Sequence, residues 1–124
     1  MNFRAEEQIL LAVARRELEP RDMKELREVV RGPLDWDYLL ATAFSHGLIP
    51  LLQKKLTVAA TDLVPAPVLA RMKRESVANS QSELHLIRKQ LKVYRVLQDH
   101  CIGVAIFKGA LLAQMAYGEV GLRQ

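Results

Sequence analysis

The stretch from Val68 to about His100 contains neither glycine nor proline and is built mostly of good helix formers, which predicts one continuous helix of about nine turns. At 100° per residue, Leu84, Leu86, Ile87, Leu91, Val93, Tyr94 and Leu97 cover about half of its circumference. A stripe that wide predicts a helix buried along one side of a globular core, because a two-stranded coiled coil needs only a narrow seam. His85, Arg88, Lys92 and Arg95 fall on the opposite face.

The residues before it are helical in pattern too. Leu10, Val13, Ala14 and Leu18 recur at helical spacing and predict an amphipathic helix that ends before Pro20. Asp22 and Glu25 predict a capped second helix through Val30, closed by Gly32-Pro33. In "LDWDYLLATAFSHGLIP", Trp36, Leu39, Leu40, Ala43 and Phe44 share one face, and Gly47 supplies a left-handed stop. Pro50 opens a further short helix to about Leu56, and residues 57–67 read as a loop. After Cys101 the pattern changes: "CIGVAIF" has β-branched residues and no polar face, which suits a short buried strand, and Gly109–Tyr117 returns to helix.

With 124 residues, half of them hydrophobic and about a quarter charged, the chain is sized for one well-buried domain. Its formal net charge of +4 favours anionic partners without demanding nucleic acid. Cys101 is the only cysteine, so an internal disulfide is excluded and nothing points to an oxidising compartment. Glu6 and Glu7 stand where a signal peptide would be basic, and no apolar run reaches the roughly 20 residues a membrane span needs. These features predict a cytoplasmic protein with no membrane segment.

Asp35-Trp36-Asp37 is the one D-x-D in the sequence. Two carboxylates two apart share a face only on a strand, whereas the following residues have helical spacing. Asp35 therefore reads as a helix N-cap and Asp37 as a first-turn carboxylate, in preference to a magnesium pair. His46, His85 and His100 have no partners at metal-ligand spacing, and Cys101 reads as a small buried hydrophobe instead of a nucleophile. The basic face of the long helix reads as solvated. It lacks the interleaved aromatics that stack bases, which argues against nucleic acid as a partner.

"IFKGALLA" carries more chemistry. A strand that runs into Lys108-Gly109 and then a helix brings a lysine, backbone N–H groups and a helix N-terminus together, a combination that favours a phosphate. A simple turn is the competing reading.

"EEQILLAVAR", "DWDYLLATAFSHGLIPLLQKKL", "VPAPVLARMKRESVANSQSELHLIRKQL" and above all "GVAIFKGALLAQMAYGEVGLRQ" resemble a bacterial family of uncharacterised nucleotidyltransferases, distant members of the superfamily that includes DNA polymerase beta. The resemblance implies that Gly109 lets the backbone approach a nucleotide's triphosphate, with Lys108 and Ala110 beside it; Ala110 stands where most of the superfamily has serine or glycine. It also implies that a loop beyond Tyr117 leads to a second strand bearing D-x-D. That acidic pair is absent from these residues, so magnesium and a nucleoside triphosphate are expected for a full-length relative and neither a metal ligand nor a catalytic residue is assigned in this chain.

The expected architecture is mainly α. Residues 1–100 form a multi-helix domain with one long helix, and residues 101–124 add a strand-turn-helix that begins an α/β nucleotidyltransferase core, the two together making one compact unit. The expected function is the N-terminal portion of a nucleotidyltransferase, inert by itself. The alternative is a helical interaction module that dimerises through its C-terminal strand and helix.

Overall fold

The computed structural model describes residues 2–105 together with 109, 115 and 118. They form α1 (Ala5–Val13), α2 (Pro20–Arg31), α3 (Trp36–Ser45), α4 (Ile49–Ala60), a 3-10 turn (Thr61–Leu63) and α5 (Ala66–Asp99). The described part is mainly helical.

Helix α4 lies at the centre and packs against α1, α2, α3 and α5. Its sequence, "IPLLQKKLTVAA", puts apolar residues on nearly every side, and Ile49, Pro50, Leu51, Leu52, Leu56, Ala59 and Ala60 are all buried. Such a helix is stable only when surrounded. Ile9 and Val13 of α1, Leu26 and Val30 of α2, and Leu39, Leu40 and Ala43 of α3 cover it, and Met72 of α5 closes the cluster. Helix α4 runs past Leu56 to Ala60, so the loop expected at residues 57–67 is shorter than its polar composition suggested. Thr57 and Thr61 donate their hydroxyls to the carbonyls of Gln53 and Thr57, which lets β-branched polar residues sit in a helix.

The helix ends follow local chemistry. Asp35 accepts from the Tyr38 N–H at 3.0 Å, the expected N-cap. At the other end of α3, Gly47 has φ +66, Leu48 N–H donates to the Ala43 carbonyl at 2.8 Å, and Gly47 N–H donates to Phe44 at 3.1 Å, which is a Schellman stop. Helix α2 starts earlier than Asp22: Pro20 occupies its first turn, and Asp22 accepts from the Glu19 N–H at 3.1 Å. At the end of α4, Arg27 donates to the Ala59 carbonyl and grips Asp62 through both guanidinium nitrogens at 2.7 and 2.8 Å. That fork fastens α2 to the turn and holds the Asp62 carboxyl down at about 2.

Like Glu83 of α5, Glu6 of α1 is a buried charge, 4% exposed. One carboxylate oxygen accepts from the Asp35 N–H at 2.7 Å and the other from Arg4 Nε at 3.3 Å. The Asp35 amide is the main reason its pKa is lowered; burial opposes, and Arg4 adds to the lowering. The same Asp35 thus caps α3 with its side chain and ties α3 to α1 with its backbone.

Three expectations are corrected. The long helix is not buried along one side: Leu84, Leu86, Leu91 and Val93 are 47–59% exposed, Ile87, Tyr94 and Leu97 are half-buried, and of its apolar residues only Met72, near its beginning, is fully buried in the core. The reason is length. Helices of 9–12 residues are about 14–18 Å long, whereas the 34 residues of α5 extend about 51 Å, so most of α5 outruns its neighbours. Phe44, expected on the core face of α3, is 58% exposed at the edge of that face. The strand expected from Cys101 is not formed by residues 101–105, and no strand occurs among the described residues. A strand exists only through ladder hydrogen bonds to a neighbour, and none of the described segments supplies them.

Two outcomes test this packing. Leu52→Ala removes a side chain with 0% exposure from the core cluster, so unfolding free energy should drop by about 2–5 kcal/mol in urea titration. Glu6 and Asp62 both have folded pKa values below their unfolded ones (4.5 and 3.8), so the stability they contribute is complete above those values and is lost as pH falls through the folded ones. Urea midpoints should fall between pH 4.5 and 2. Glu6→Gln should cost about 1–3 kcal/mol at pH 7 and flatten that acid slope, and an unchanged slope would remove Glu6 from the account.

Candidate functional site

The glycine turn singled out by the sequence is represented among the described residues by Gly109. It lies in a turn with φ +80, the left-handed region where a side chain is strained. A Cβ placed there would meet Gln90 Nε2 of α5 at 3.5 Å, an ordinary contact. Conformation, not crowding, therefore calls for glycine, and the turn rests beside α5 at the level of Gln90. Lys108 and Ala110, the other two residues expected at a phosphate, lie outside the described residues.

The approach to that turn begins at the C-terminus of α5. Cys101 has φ +57, Ile102 N–H donates to the Leu97 carbonyl at 2.9 Å, and Cys101 N–H donates to Gln98 at 2.9 Å. This is the same Schellman geometry that Gly47 provides for α3, here made with a non-glycine residue at the left-handed position. Cys101 is exposed, contrary to the buried role expected of it, because the helix end that it terminates stands clear of the core.

Helix α5 alongside carries His85, Arg88, Lys89, Lys92 and Arg95, all exposed, within an arc of about 120°. With Leu91 they line an open concavity of about 450 Å³. A second concavity of about 430 Å³ lies where α3, α4 and α5 meet, between Phe44, Ile49, Met72, Arg71 and Glu75.

The carboxylates do not converge. Asp35 Oδ1 is committed to the Tyr38 amide, and Asp37 points to solvent and pairs with Arg71 at 3.1 Å. No group of three or more His, Cys, Asp or Glu able to hold a metal ion occurs among the described residues. His46, His85 and His100 are exposed and separate, and His100 Nδ1 lies 2.7 Å from its own helix's Val96 carbonyl. Lys55 was passed over in the sequence: its ammonium is buried without a hydrogen-bond partner, and that burial, with Lys54 beside it, lowers its pKa. A lysine in a helix whose neighbours are nearly all apolar was the available signal.

Residues 32–124 match a family described as uncharacterised nucleotidyltransferase, a span that takes in α3, α4, α5 and the glycine turn. The chain belongs to this nucleotidyltransferase family. No curated protein and no solved structure matches it. In this chain α1 and α2 precede the matched span and pack against α4. No helix among the described residues is long and apolar enough to cross a membrane.

The left-handed positions give a direct comparison. Cys101→Gly should raise stability by about 1 kcal/mol by relieving a non-glycine residue at a Schellman position, while Gly47→Ala should lower it by a similar amount. Paired thermal melts check both signs, and a destabilising Cys101→Gly would show that the cysteine side chain has a packing role.

Proposed function

We propose that this chain is the helical, nucleotide-facing portion of a nucleotidyltransferase, which passes a nucleoside monophosphate from a nucleoside triphosphate to an acceptor hydroxyl. Lys108, Gly109 and Ala110 face the triphosphate in this reading. The observation that carries it is the family match across residues 32–124, which includes the glycine turn; the positive φ of Gly109 supports it. Backbone amides in such a turn leave room for phosphate oxygens to approach, and a lysine adjacent to them supplies countercharge.

Transfer of this kind depends on positioning and on metal-borne stabilisation of charge. The donor set among the described residues does not fit magnesium: Asp35 caps a helix, Asp37 is solvated and paired, and neither has a third ligand. No step is therefore assigned through a metal here. We propose that residues 1–124 hold nucleotide without turning it over, and that the acidic pair expected of the family is not among them.

A second reading, a helical interaction module, draws on the half-exposed apolar residues of α5. One preparation separates the two. Calorimetric titration with a nucleoside triphosphate should show saturable binding that Gly109→Val weakens at least tenfold, while incubation with magnesium and acceptor mixtures yields no nucleotidyl product. Product formation would overturn the proposed inertness. Self-association with no nucleotide binding would favour the interaction module.

A further inference from the structure

The positive charge of this chain is concentrated in one place. It has 18 Lys and Arg against 14 Asp and Glu, and four of the cations, Arg88, Lys89, Lys92 and Arg95, lie within residues 84–98, a segment with no acidic residue. The remaining 14 cations equal the 14 anions, so this segment carries an excess equal to the chain's net charge of +4, with His85 on the same arc and Asp99 closing it one turn beyond Arg95. Elsewhere several cations are compensated: Arg15 by Asp22, Arg21 by Glu25, Arg27 by Asp62, Arg31 by Glu28 and Arg71 by Asp37. Arg88, Lys89, Lys92 and Arg95 have no such carboxylate among the described residues, and all four are exposed.

We propose that this face of α5 is a binding surface for the phosphate backbone of a nucleic acid. From Arg88 to Arg95 the helix rises about 10 Å, so the four cations are spread over about two turns and can meet successive phosphates of an extended backbone. A nucleoside triphosphate, whose phosphates form a single cluster, would engage one turn and leave the rest of the ladder unused. The cations, with Leu91 among them, border an open space of about 450 Å³ between side chains of this one helix. The lack of interleaved aromatics argues against base stacking and sequence readout. It does not bear on backbone contacts, which are electrostatic and need only cations at the right spacing.

Gly109 packs beside Gln90, which at 100° per residue lies about 160° around α5 from the centre of the basic arc, so the candidate nucleotide turn is on the other side of the helix from this face. If the transferase reading holds, the same surface would hold a nucleic-acid acceptor. Binding and transfer are measured separately, so failure of one does not carry the other with it.

The test is fluorescence anisotropy of the intact chain with a labelled 20-base-pair duplex and a single strand of mixed sequence, over a range of salt. Four phosphate contacts predict log K falling with log salt at a slope of about −3.6 for the duplex and −2.8 for the single strand, roughly a 150-fold loss for the duplex between 50 and 200 mM. A variant combining Arg88→Gln, Lys89→Gln, Lys92→Gln and Arg95→Gln should keep its circular dichroism and lose at least tenfold in affinity at 50 mM salt. A control with Arg16→Gln, Lys24→Gln, Lys73→Gln and Arg74→Gln, equal in charge removed, should lose less than threefold. Equal losses in both variants would reduce the effect to net charge and overturn the proposal. So would absence of binding at low salt, full competition by a mononucleoside triphosphate at matched phosphate concentration, or binding to phosphatidylserine vesicles without binding to either oligonucleotide.

Discussion

Burial of α4 along most of its surface, with only Lys54, Thr57 and Val58 exposed, is the constraint from which the rest of the structure follows. A helix with Leu52 and Leu56 at 0% exposure and with Ile49, Ala59 and Ala60 also buried cannot exist alone in water. Its neighbours need present only one apolar face each, and α1, α2 and α3 do so with helices of 9–12 residues. The polar ties lie at the edges of this arrangement, where they set angles instead of supplying the driving force. Glu6 fixes α1 to the start of α3, and Arg27 fixes α2 to the end of α4.

Once α4 is covered, α5 has more length than the core has surface. Met72 enters the cluster, and beyond it the apolar positions at 84, 86, 91 and 93 stay about half exposed. The same geometry leaves the cations of residues 88–95 facing water without carboxylates nearby. Both surfaces come from one mismatch, a helix of about 51 Å against partners of about 14–18 Å, so exposed apolar and exposed basic faces appear together on the same stretch.

The sequence was most legible where structure depends on a few adjacent residues. Asp35 as a cap, Gly47 as a left-handed stop and the alternation that marks α3 all act within one or two turns, and each is seen. It was least legible where a residue's role depends on what lies across space. Nothing local distinguishes Glu6 from Glu7, yet one is buried against Asp35 while the other accepts from the Arg4 amide at the surface. The stripe on α5 had the periodicity of a buried face, but periodicity cannot report whether a neighbour is long enough to bury it. The strand after Cys101 failed for a related reason, since β-propensity describes fitness for a sheet and not the presence of one. Of the candidate site, the sequence marked Gly109 as a turn residue, and its positive φ is seen; the basic face was visible too, but the lack of ion pairs at Arg88, Lys89, Lys92 and Arg95 among the described residues required the fold.

The left-handed Cys101 links these observations. A Schellman stop reverses the chain direction at the end of α5. From Gln90 to Cys101 the helix advances about 17 Å, while the eight steps from Cys101 to Gly109 can extend to about 26 Å at 3.3 Å each. The returning segment therefore has enough length, with some to spare, to bring Gly109 against Gln90. A helix residue held at φ +57, at a cost of about 1 kcal/mol, thus sets where the glycine turn falls relative to the cationic turns of α5. Had α5 ended with the chain continuing outward, Gly109 would lie tens of ångströms from Gln90 instead of beside it.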